Sequence, residues 1–553
     1  ENQFINEKMI PAMWEDGFTE SRPIKINITT ASQLNIAFDE RLYNKGASLI
    51  RMLENIIGEQ QLISNLNIYL KSKPFGNVKS EDFFKAVSLP AQLAVSTQAW
   101  LEPWLLQKNY PKLFVALLEN DSGNTRVRFL QDRFLLSEFD EDNEKNFRWK
   151  MYIKCIAGGE TNGSVVNHLE GSTYEFVYFL ESTNGQIDLD RKYTWVKCNT
   201  DFKGFYVTDY FNSLYDAFET VLLNNRSIFS PADRSNLIHN TFLVAFLGTK
   251  SYAIPNLLSN YLTETETDVT PFQTFIWHIN KVANIIEHRP SFKKLRGFID
   301  GMLNSVVDRL GIDIWENTGS HLLKLLKADL VNFQCRMQIP SCLYKATEWY
   351  EKIPKEFFLS PEAFENSNPV PGNYRPLVFK YHLQNTYELF DWIDVFDLAE
   401  TTNNAREREY AIDALGNTRS SFLHDSFLME LLKSTKVIKI DDFFRVLSAV
   451  GDNPNGRYFA WYFIRENWYF LVFETSNGRG VTEVVNQITN SFDNVFLLEE
   501  ILNFFEDTFD FQSADIRLKI IDTVLINIFW VANLEKDFED YFFPFGRHNL
   551  KEF

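Results

Sequence analysis

The chain has 553 residues, with 74 acidic against 55 basic side chains and 45% hydrophobic residues. Its length suits roughly three to four domains, and its net charge of −19 argues against a nucleic-acid partner, whose phosphates lysine and arginine would have to neutralise. Four cysteines in 553 residues exclude a disulfide-stapled mini-scaffold and a Cys-rich zinc module.

The two most apolar stretches, 458–474 and 518–534, are interrupted by charged and amide side chains. A membrane-spanning helix needs about 20 largely apolar residues, so both stretches predict buried helices, and we expect no membrane anchor in this chain. Residue 1 is Glu, and no basic-then-apolar leader follows it. We therefore expect the chain to be a piece of a longer protein or a processed product.

Hydrophobic periodicity divides the chain into three parts. From about residue 43 to 108 apolar residues recur at helical spacing, and Gly58 marks the end of the first helix. Between about 109 and 210 the period drops to two, which predicts a small β-sandwich. Its predicted strands are 112–119, 126–134, 147–157, 174–181, 193–199 and 204–209.

From about residue 211 to the end, one short amphipathic helix follows another. Ser230 and Pro231 form a helix start signal, with a capping serine followed by proline in the first turn. No strict sequence period is present, so no named repeat is assigned. Stacked helix pairs in a solenoid are nevertheless the expected way to bury so many amphipathic faces.

Motifs that would indicate catalysis on their own are not apparent. The eight histidines are scattered and no two share ligand spacing on one helix, so no zinc site is predicted within the chain. Neither a phosphate-binding Gly-Lys-Ser/Thr loop nor a Gly-x-Ser-x-Gly elbow is present. Four glycosylation sequons are compatible with secretion, although roughly as many are expected by chance in this composition. They begin at Asn27, Asn120, Asn162 and Asn225.

The most specific string surrounds residue 43. Residues 38–53 read FDERLYNKGASLIRML. They resemble the Phe-Asp-x-x-x-Tyr-x-Lys-Gly-Ala-x-x-x-x-Met-Leu signature of the gluzincin zinc aminopeptidases, the family of aminopeptidase N and the endoplasmic-reticulum aminopeptidases. Residues 21–24, SRPI, resemble its Ser-x-Pro-(Ile/Leu), and residues 104–111, WLLQKNYP, resemble its Trp-x-x-Gln-x-Gly-(Phe/Tyr)-Pro with Asn109 replacing the glycine. The resemblance runs nearly end to end and is weakest between about 344 and 400.

This resemblance implies three domains. Residues 1–108 would be the C-terminal helical part of a thermolysin-like catalytic domain, 109–210 a β-sandwich, and 211–553 a HEAT/armadillo-like helical solenoid like that of the endoplasmic-reticulum aminopeptidases. The family's zinc ligands (two His and a Glu), its general-base Glu and its Gly-x-Met-Glu-Asn loop would all precede Glu1. We therefore expect zinc in the full-length family member and none bound by this chain alone.

The resemblance places Tyr43 beside the first peptide carbonyl of the substrate, where negative charge develops during hydrolysis. A phenol keeps its proton near neutral pH, because its reference pKa is about 10, and can donate a hydrogen bond to that oxygen. The alternative is a tyrosine that begins a helix with its hydroxyl in solvent. Phe38 matches a residue that lines the pocket for the first side chain, and its alternative is a place in the hydrophobic core.

The resemblance also implies a disulfide between Cys335 and Cys342, since secretory members of the family carry one at this spacing. An oxidised pair implies an extracellular or luminal compartment, and the alternative is two buried thiols. Cys155 and Cys198 lie on two predicted strands, and whether they pair stays open.

Three interpretations of function follow. The first is the C-terminal portion of a secreted or cell-surface zinc aminopeptidase that acts on peptides and is inactive without its amino-terminal half, with a second copy of the chain as a further candidate partner. The second is a catalytically dead relative that binds peptides or proteins. The third is an intracellular helical scaffold unrelated to peptidases, in which Cys335 and Cys342 would be reduced.

Overall fold

The structure is a computed structural model. It describes residues 2–29, 37–137, 146–162, 165–169, 173–360, 367–433, 438–508 and 510–543, without the side chains of 161–166 and 511. The described chain is mainly helical, with small sheets. It divides into two compact units, Glu1–His278 and Ile279–Phe553. The division into domains at residues 108 and 210 stays a prediction.

The first unit opens with helical segments that precede the strands. Gly58 ends one of them with φ of +84°, a backbone conformation that glycine adopts without strain, so the predicted stop is confirmed. These segments are Asn2–Phe4, a wide π-type turn at Ile5–Met9, Ile10–Glu15, a second π-type turn at Arg41–Lys45, Gly46–Ile57, Glu59–Ser72, Ser80–Ala86 and Thr97–Leu106.

Nine strands follow within the described residues. They are β1 (Tyr110–Glu119), β2 (Thr125–Phe134), β3 (Met151–Gly158), β4 (Glu160–Asn162), β5 (Val165–Asn167), β6 (Tyr174–Leu180), β7 (Asn184–Asp188), β8 (Trp195–Cys198) and β9 (Val207–Tyr210). One sheet has the order β7-β2-β1-β9 and another has the order β6-β3-β8, while β4 and β5 form a separate ribbon. Only β1 and β9 pair in parallel; the other pairs in the described sheets are antiparallel.

The two larger sheets face one another. Phe129 on β2 stacks on Tyr178 on β6 with ring centroids 5.0 Å apart, and buried residues alternate along β2. All six predicted strands are confirmed in β1, β2, β3, β6, β8 and β9, with ends that differ by a few residues. Prediction missed β4, β5 and β7, because these strands are short and β7 consists of Asn, Gly, Gln, Ile and Asp, mostly types that strands disfavour.

A disulfide links the central strand of the smaller sheet to its neighbour. Cys155 on β3 lies directly opposite Cys198 on β8, and the two form a disulfide with both side chains fully buried. The backbone N–H of Cys198 donates to the Tyr210 hydroxyl at 3.0 Å. The pairing that the sequence left open is therefore present.

Helices complete the first unit. The Ser230 hydroxyl accepts the Asp233 backbone N–H at 3.1 Å, so the predicted helix start at Ser230 and Pro231 is confirmed. The helices are Asn212–Asn225, Pro231–Phe246, Ala253–Ser259, Tyr261–Glu264 and Val269–Ile286, the last of which continues past His278 into the second unit.

The second unit is helical throughout its described residues. Its helices are Pro290–Leu310, His321–Arg336, Pro340–Tyr350, Arg375–Asn385, Leu389–Thr401, Ala405–Leu415, Ser421–Met429, Phe443–Asp452, Arg457–Thr475, Gly478–Thr489, Val495–Asp507, Ala514–Asn533 and Glu535–Phe542. From Arg375 onward alternate helices pack on one another, and the intervening helices pack against them. Cys335 and Cys342 form a disulfide in this unit.

A recurring asparagine contact shows the register of these helices. The Asn453 amide donates to the carbonyl oxygens of Gly416 and Thr418, which lie 37 and 35 residues earlier. The Asn527 amide donates in the same way to Asn490 and Phe492, again 37 and 35 residues earlier. The helix pairs thus repeat in structure although the sequence shows no strict period. None of the described helices is long and apolar enough to cross a bilayer.

Candidate active site

Tyr43 lies in the π-type turn Arg41–Lys45, directly before the helix Gly46–Ile57. Its side chain is 62% exposed, that of Phe38 is 57% exposed, and their ring centroids are 6.4 Å apart. A core position for Phe38 is therefore wrong. Exposure of Tyr43 agrees with both interpretations made from the sequence, since an oxyanion partner and a solvated helix start both need it. Within the described part of the chain its hydroxyl has no hydrogen-bond partner.

Asp39 holds the turn that carries Tyr43. Its carboxylate contacts Arg22 at 2.9 Å and Arg41 at 2.8 Å, and it accepts the Leu42 backbone N–H at 2.9 Å. The Tyr43 backbone N–H donates to the Asp39 carbonyl oxygen at 3.3 Å. Charge-assisted hydrogen bonds such as these are stronger than neutral ones. The turn is therefore fixed four residues before the tyrosine.

Lys45 fixes the same turn from the other side. Its ammonium lies 2.8 Å from the Asp16 carboxylate, with both side chains fully buried, and it donates to the Asn109 carbonyl oxygen at 2.9 Å. The Ser21 hydroxyl donates to Asp16 as well. A buried charge requires partners of this kind because an unpaired one is costly. The lysine of the motif, Lys45, thus helps to hold the turn that carries Tyr43 in place.

Asn109, which replaces the glycine of the family motif, explains why that motif favours glycine. Its φ is +62°, in the left-handed region that asparagine tolerates better than most residues. Its side-chain amide donates to the carbonyl oxygens of Asp16 and Phe18 at 2.6 and 2.9 Å, and its amide oxygen accepts from Arg133 at 2.8 Å. The substitution therefore keeps the backbone shape and adds contacts.

Sequence reasoning missed the buried charges behind this turn. Arg51, 7% exposed, donates to the carbonyl oxygens of Asp201 and Phe202, two residues with positive φ. Lys197 pairs with Asp233 in the interior, and desolvation lowers the pKa of Lys197. The available signal in the sequence was a charged residue directly between two apolar ones, Arg51 between Ile50 and Met52.

The helix face that continues from Tyr43 is open. Among the described residues nothing lies within 4 Å of the place where a Cβ on Gly46 would be, and Ala47 is exposed. The described residues also contain no group of three or more His, Cys, Asp or Glu side chains that could hold a metal ion.

The sequons differ in accessibility. Asn27 and Asn225 are exposed, and Asn225 accepts the Ser227 hydroxyl at 2.6 Å. Asn120 is half-buried, and its side-chain oxygen accepts the N–H groups of Ser122 and Asn124. The side chain of Asn162, with Gly163 and Ser164, lies outside the described residues.

Comparison with known proteins gives these elements a family context. The profile described as the ERAP1-like C-terminal domain matches residues 195–525, and that of the peptidase family M1 domain matches residues 1–104. The chain is 28% identical over 547 residues to glutamyl aminopeptidase of Mus musculus and 27% identical over 545 residues to that of Homo sapiens. Each match covers 98% of this chain and 54% of the relative.

Endoplasmic reticulum aminopeptidase 2 of Homo sapiens is 25% identical over 555 residues, covering 94% of this chain and 54% of that protein. The chain thus spans about half the length of the curated relatives it matches. A helical scaffold unrelated to peptidases is excluded, because one profile alone matches more than half of the chain. On these matches, and on the motif around Tyr43, the chain belongs to the M1 gluzincin aminopeptidase family, of which it represents a C-terminal portion.

Proposed function

We propose that this chain is the C-terminal portion of a zinc-dependent aminopeptidase that removes amino-terminal residues from peptides. In this role the Tyr43 hydroxyl donates a hydrogen bond to the oxygen of the first peptide carbonyl. The observation that carries the proposal is an exposed phenol on a turn held by Asp39 before it and by Lys45 after it. A donor held in place before reaction costs no reorganisation when charge develops.

Phe38 supports the same assignment. It lies beside Tyr43 and exposes more than half of its side chain, although a lone aromatic side chain usually finds an apolar partner. We propose that Phe38 lines the pocket for the first side chain of the peptide.

The proposal requires further components that the described residues do not supply. Zinc polarises the substrate and activates water in enzymes of this kind, and we propose that its ligands and the general base belong to the family's amino-terminal half. That half would be the partner that covers the open face at Gly46 and Ala47. This chain alone would then be inactive.

The test compares this chain alone with the same chain joined to, or mixed with, the amino-terminal half of the protein. We expect aminoacyl-anilide hydrolysis and stoichiometric zinc only when both halves are present. Tyr43→Phe should then lower kcat by about a hundred- to a thousand-fold with a small change in KM, because one oxyanion donor is lost. Tyr387→Phe, at a tyrosine that is 74% exposed in the second unit, is the matched control. Equal activity of the two variants would refute the role of Tyr43.

The second candidate is a catalytically dead relative that binds peptides or proteins. Exposed aromatic side chains favour it: Tyr469 and Phe473, four residues apart after the break at Asn467 in the helix Arg457–Thr475, are 72% and 80% exposed, and Tyr462 before the break is 47% exposed. Saturable peptide binding by the two joined halves without hydrolysis or zinc would favour this function over the first.

We also propose that the helices of the second unit form a HEAT/armadillo-like stack. The same exposed side chains support a homodimer formed through this unit. Sedimentation of the chain should show a concentration-dependent dimer. Phe473→Glu should weaken that dimer, whereas Phe75→Glu, at an even more exposed phenylalanine in the first unit, should leave it unchanged. A monomer at all concentrations would contradict the dimer.

An extracellular or luminal location is supported by the two disulfides, since such bonds form and persist in oxidising compartments. We expect secreted protein to carry glycans at Asn27 and Asn225 and none at Asn120, whose side chain is engaged in its own turn. Peptide mapping after glycosidase treatment would measure occupancy. A glycan-free secreted protein would contradict this expectation.

A further inference from the structure

A small cavity in the second unit is lined by two cationic and two amide side chains. It offers about 40 Å³ to water-sized molecules, space for roughly three of them. Arg336, at the end of the helix His321–Arg336, and Lys380 and Gln384, on the helix Arg375–Asn385, line it together with Asn284. The cavity therefore lies where the end of one helix and the middle of another bring positive charge together.

Neither cation forms an ion pair with a described carboxylate. Arg336 donates to the neutral side-chain oxygen of Asn284, and Lys380 forms no hydrogen bond with any residue that the structure describes. Burial lowers the pKa of Lys380; Asp452 and Asp413 oppose this change, and the nearby Arg336 adds to it. Two half-buried cations thus face the same space.

The acidic side chains around the cavity do not balance this charge. Glu287 forms an ion pair with the buried guanidinium of Arg457, so its charge is already neutralised. Asp452 also lines the cavity, and it can offset one of the two remaining cations over a distance. Asp413 also acts on Lys380, but its carboxylate lies 3.0 Å from the guanidinium of Arg445 and is neutralised there. One positive charge is therefore left in excess.

Gln384 provides an independent observation. Its side chain is only 5% exposed, yet its amide oxygen has no hydrogen-bond partner among the described residues. Buried amides nearly always have partners, and an unsatisfied one deserves a cause such as an absent ion or water. The amide can present its N–H₂ group to the cavity by rotation about its last bond.

We propose that this cavity binds a small monovalent anion, of the size of chloride or of a single carboxylate group, between Arg336, Lys380 and Gln384. Donors of charge-assisted hydrogen bonds from two helices would then share one acceptor. The site would couple the end of His321–Arg336 to the helix Arg375–Asn385. This inference does not depend on the proposed peptidase activity.

The experiment measures thermal unfolding of the whole chain at constant ionic strength, with chloride or acetate replacing bulky gluconate. We expect a saturable rise in the midpoint of the second unit, about 3–6 °C at tenfold excess over Kd. A rise with chloride alone identifies a halide site, and a rise with acetate as well identifies a carboxylate site. No saturable rise with either anion would overturn the proposal.

Variants separate this site from general salt effects. Lys380→Gln and Gln384→Met should abolish the saturable rise, whereas Lys345→Gln, at a surface lysine paired with Glu348, should retain it. A rise that persists in Lys380→Gln would refute the assignment. Crystals grown with bromide provide a direct measurement that needs no variant: an anomalous peak in the cavity supports the site, and its absence at saturating bromide contradicts it.

Discussion

The buried pair of Lys45 and Asp16 makes a quantitative test of how the turn at Tyr43 is held. Lys45→Met keeps the length and apolar stem of the side chain and removes the ammonium, which leaves a fully buried carboxylate without its counter-charge. Breaking such a pair costs about 3–5 kcal/mol. Asp16 keeps its hydrogen bonds from Ser21 and from the Asn109 N–H. We therefore expect a loss near the lower end, about 3 kcal/mol.

The double variant Lys45→Met/Asp16→Asn removes both charges and should recover part of the loss. It still loses the hydrogen bond from Lys45 to the Asn109 carbonyl oxygen. Since one net hydrogen bond contributes about 1 kcal/mol, we expect the double variant to lie about 1–2 kcal/mol below the parent. The single variant should thus be less stable than the double variant, although it removes fewer groups. This order is the characteristic result of an unpaired buried charge.

Hydrogen exchange resolved by peptide is the suitable assay, because it reads the opening free energy of the helix Gly46–Ile57 separately from the second unit. A loss of about 3 kcal/mol corresponds to a fall in protection of roughly 100- to 200-fold. Lys73→Met, at an exposed lysine that contacts Asp82, is the control and should leave protection nearly unchanged. The reasoning is refuted if Lys45→Met behaves like Lys73→Met, or if the double variant is no better than the single one.

Further predictions concern covalent bonds, close packing and pH. Replacing both cysteines of the Cys155–Cys198 disulfide by serine should lower the free energy of unfolding by about 4 kcal/mol, because the disulfide closes a 43-residue loop and reduces the entropy of the unfolded chain. Calorimetry measures this loss, and an unchanged unfolding midpoint would contradict it. Gly416→Ala should destabilise the second unit, because its Cβ would lie 2.4 Å from a backbone carbon of the neighbouring helix. Gly301→Ala, in open space within a helix, should instead stabilise that unit by about 0.5–1 kcal/mol, as measured by urea unfolding. If the two substitutions change the free energy of unfolding in the same direction, this prediction is contradicted. Burial lowers the pKa of His239 to about 3, below the ordinary value of 6.5, so the stability it contributes is fully present above pH 6.5 and is lost as pH falls towards 3, by about 1.4 kcal/mol per pH unit. Unfolding measured from pH 7 to 4 should therefore show a shallower decline in His239→Gln, and equal slopes would contradict this origin.

Much of the fold follows from local pattern. Helical period, the stop at Gly58 and the alternation along β1, β2 and β3 each predict an element that the structure contains. The strands that prediction missed are held by neighbours instead: β7 pairs with β2 over five residues although its own composition disfavours a strand. Such pairing depends on the tertiary structure and cannot be predicted from the sequence of the strand itself.

In the candidate site, too, a local motif predicts some features, whereas contacts between distant residues could not be predicted. The motif at residues 38–53 predicts Tyr43 and Phe38 as functional residues, but spacing says nothing about what keeps them exposed. The partners of that turn, Asp16 and Arg22, lie well before it along the chain, and Asn109 lies well after it. Pairings between distant charged residues need coordinates, because any of 74 acidic side chains could serve each base.

Asn109 has a consequence for which residues its position accepts. Glycine at this position would keep the left-handed backbone, yet it would remove the side-chain hydrogen bonds to the Asp16 and Phe18 carbonyl oxygens and to Arg133. Those groups would then lie near or within the interior with unmet hydrogen-bonding capacity. The Asn109→Gly variant would therefore keep the shape of this turn and lose stability, so the side chain, and not the backbone conformation, limits which residues this position accepts.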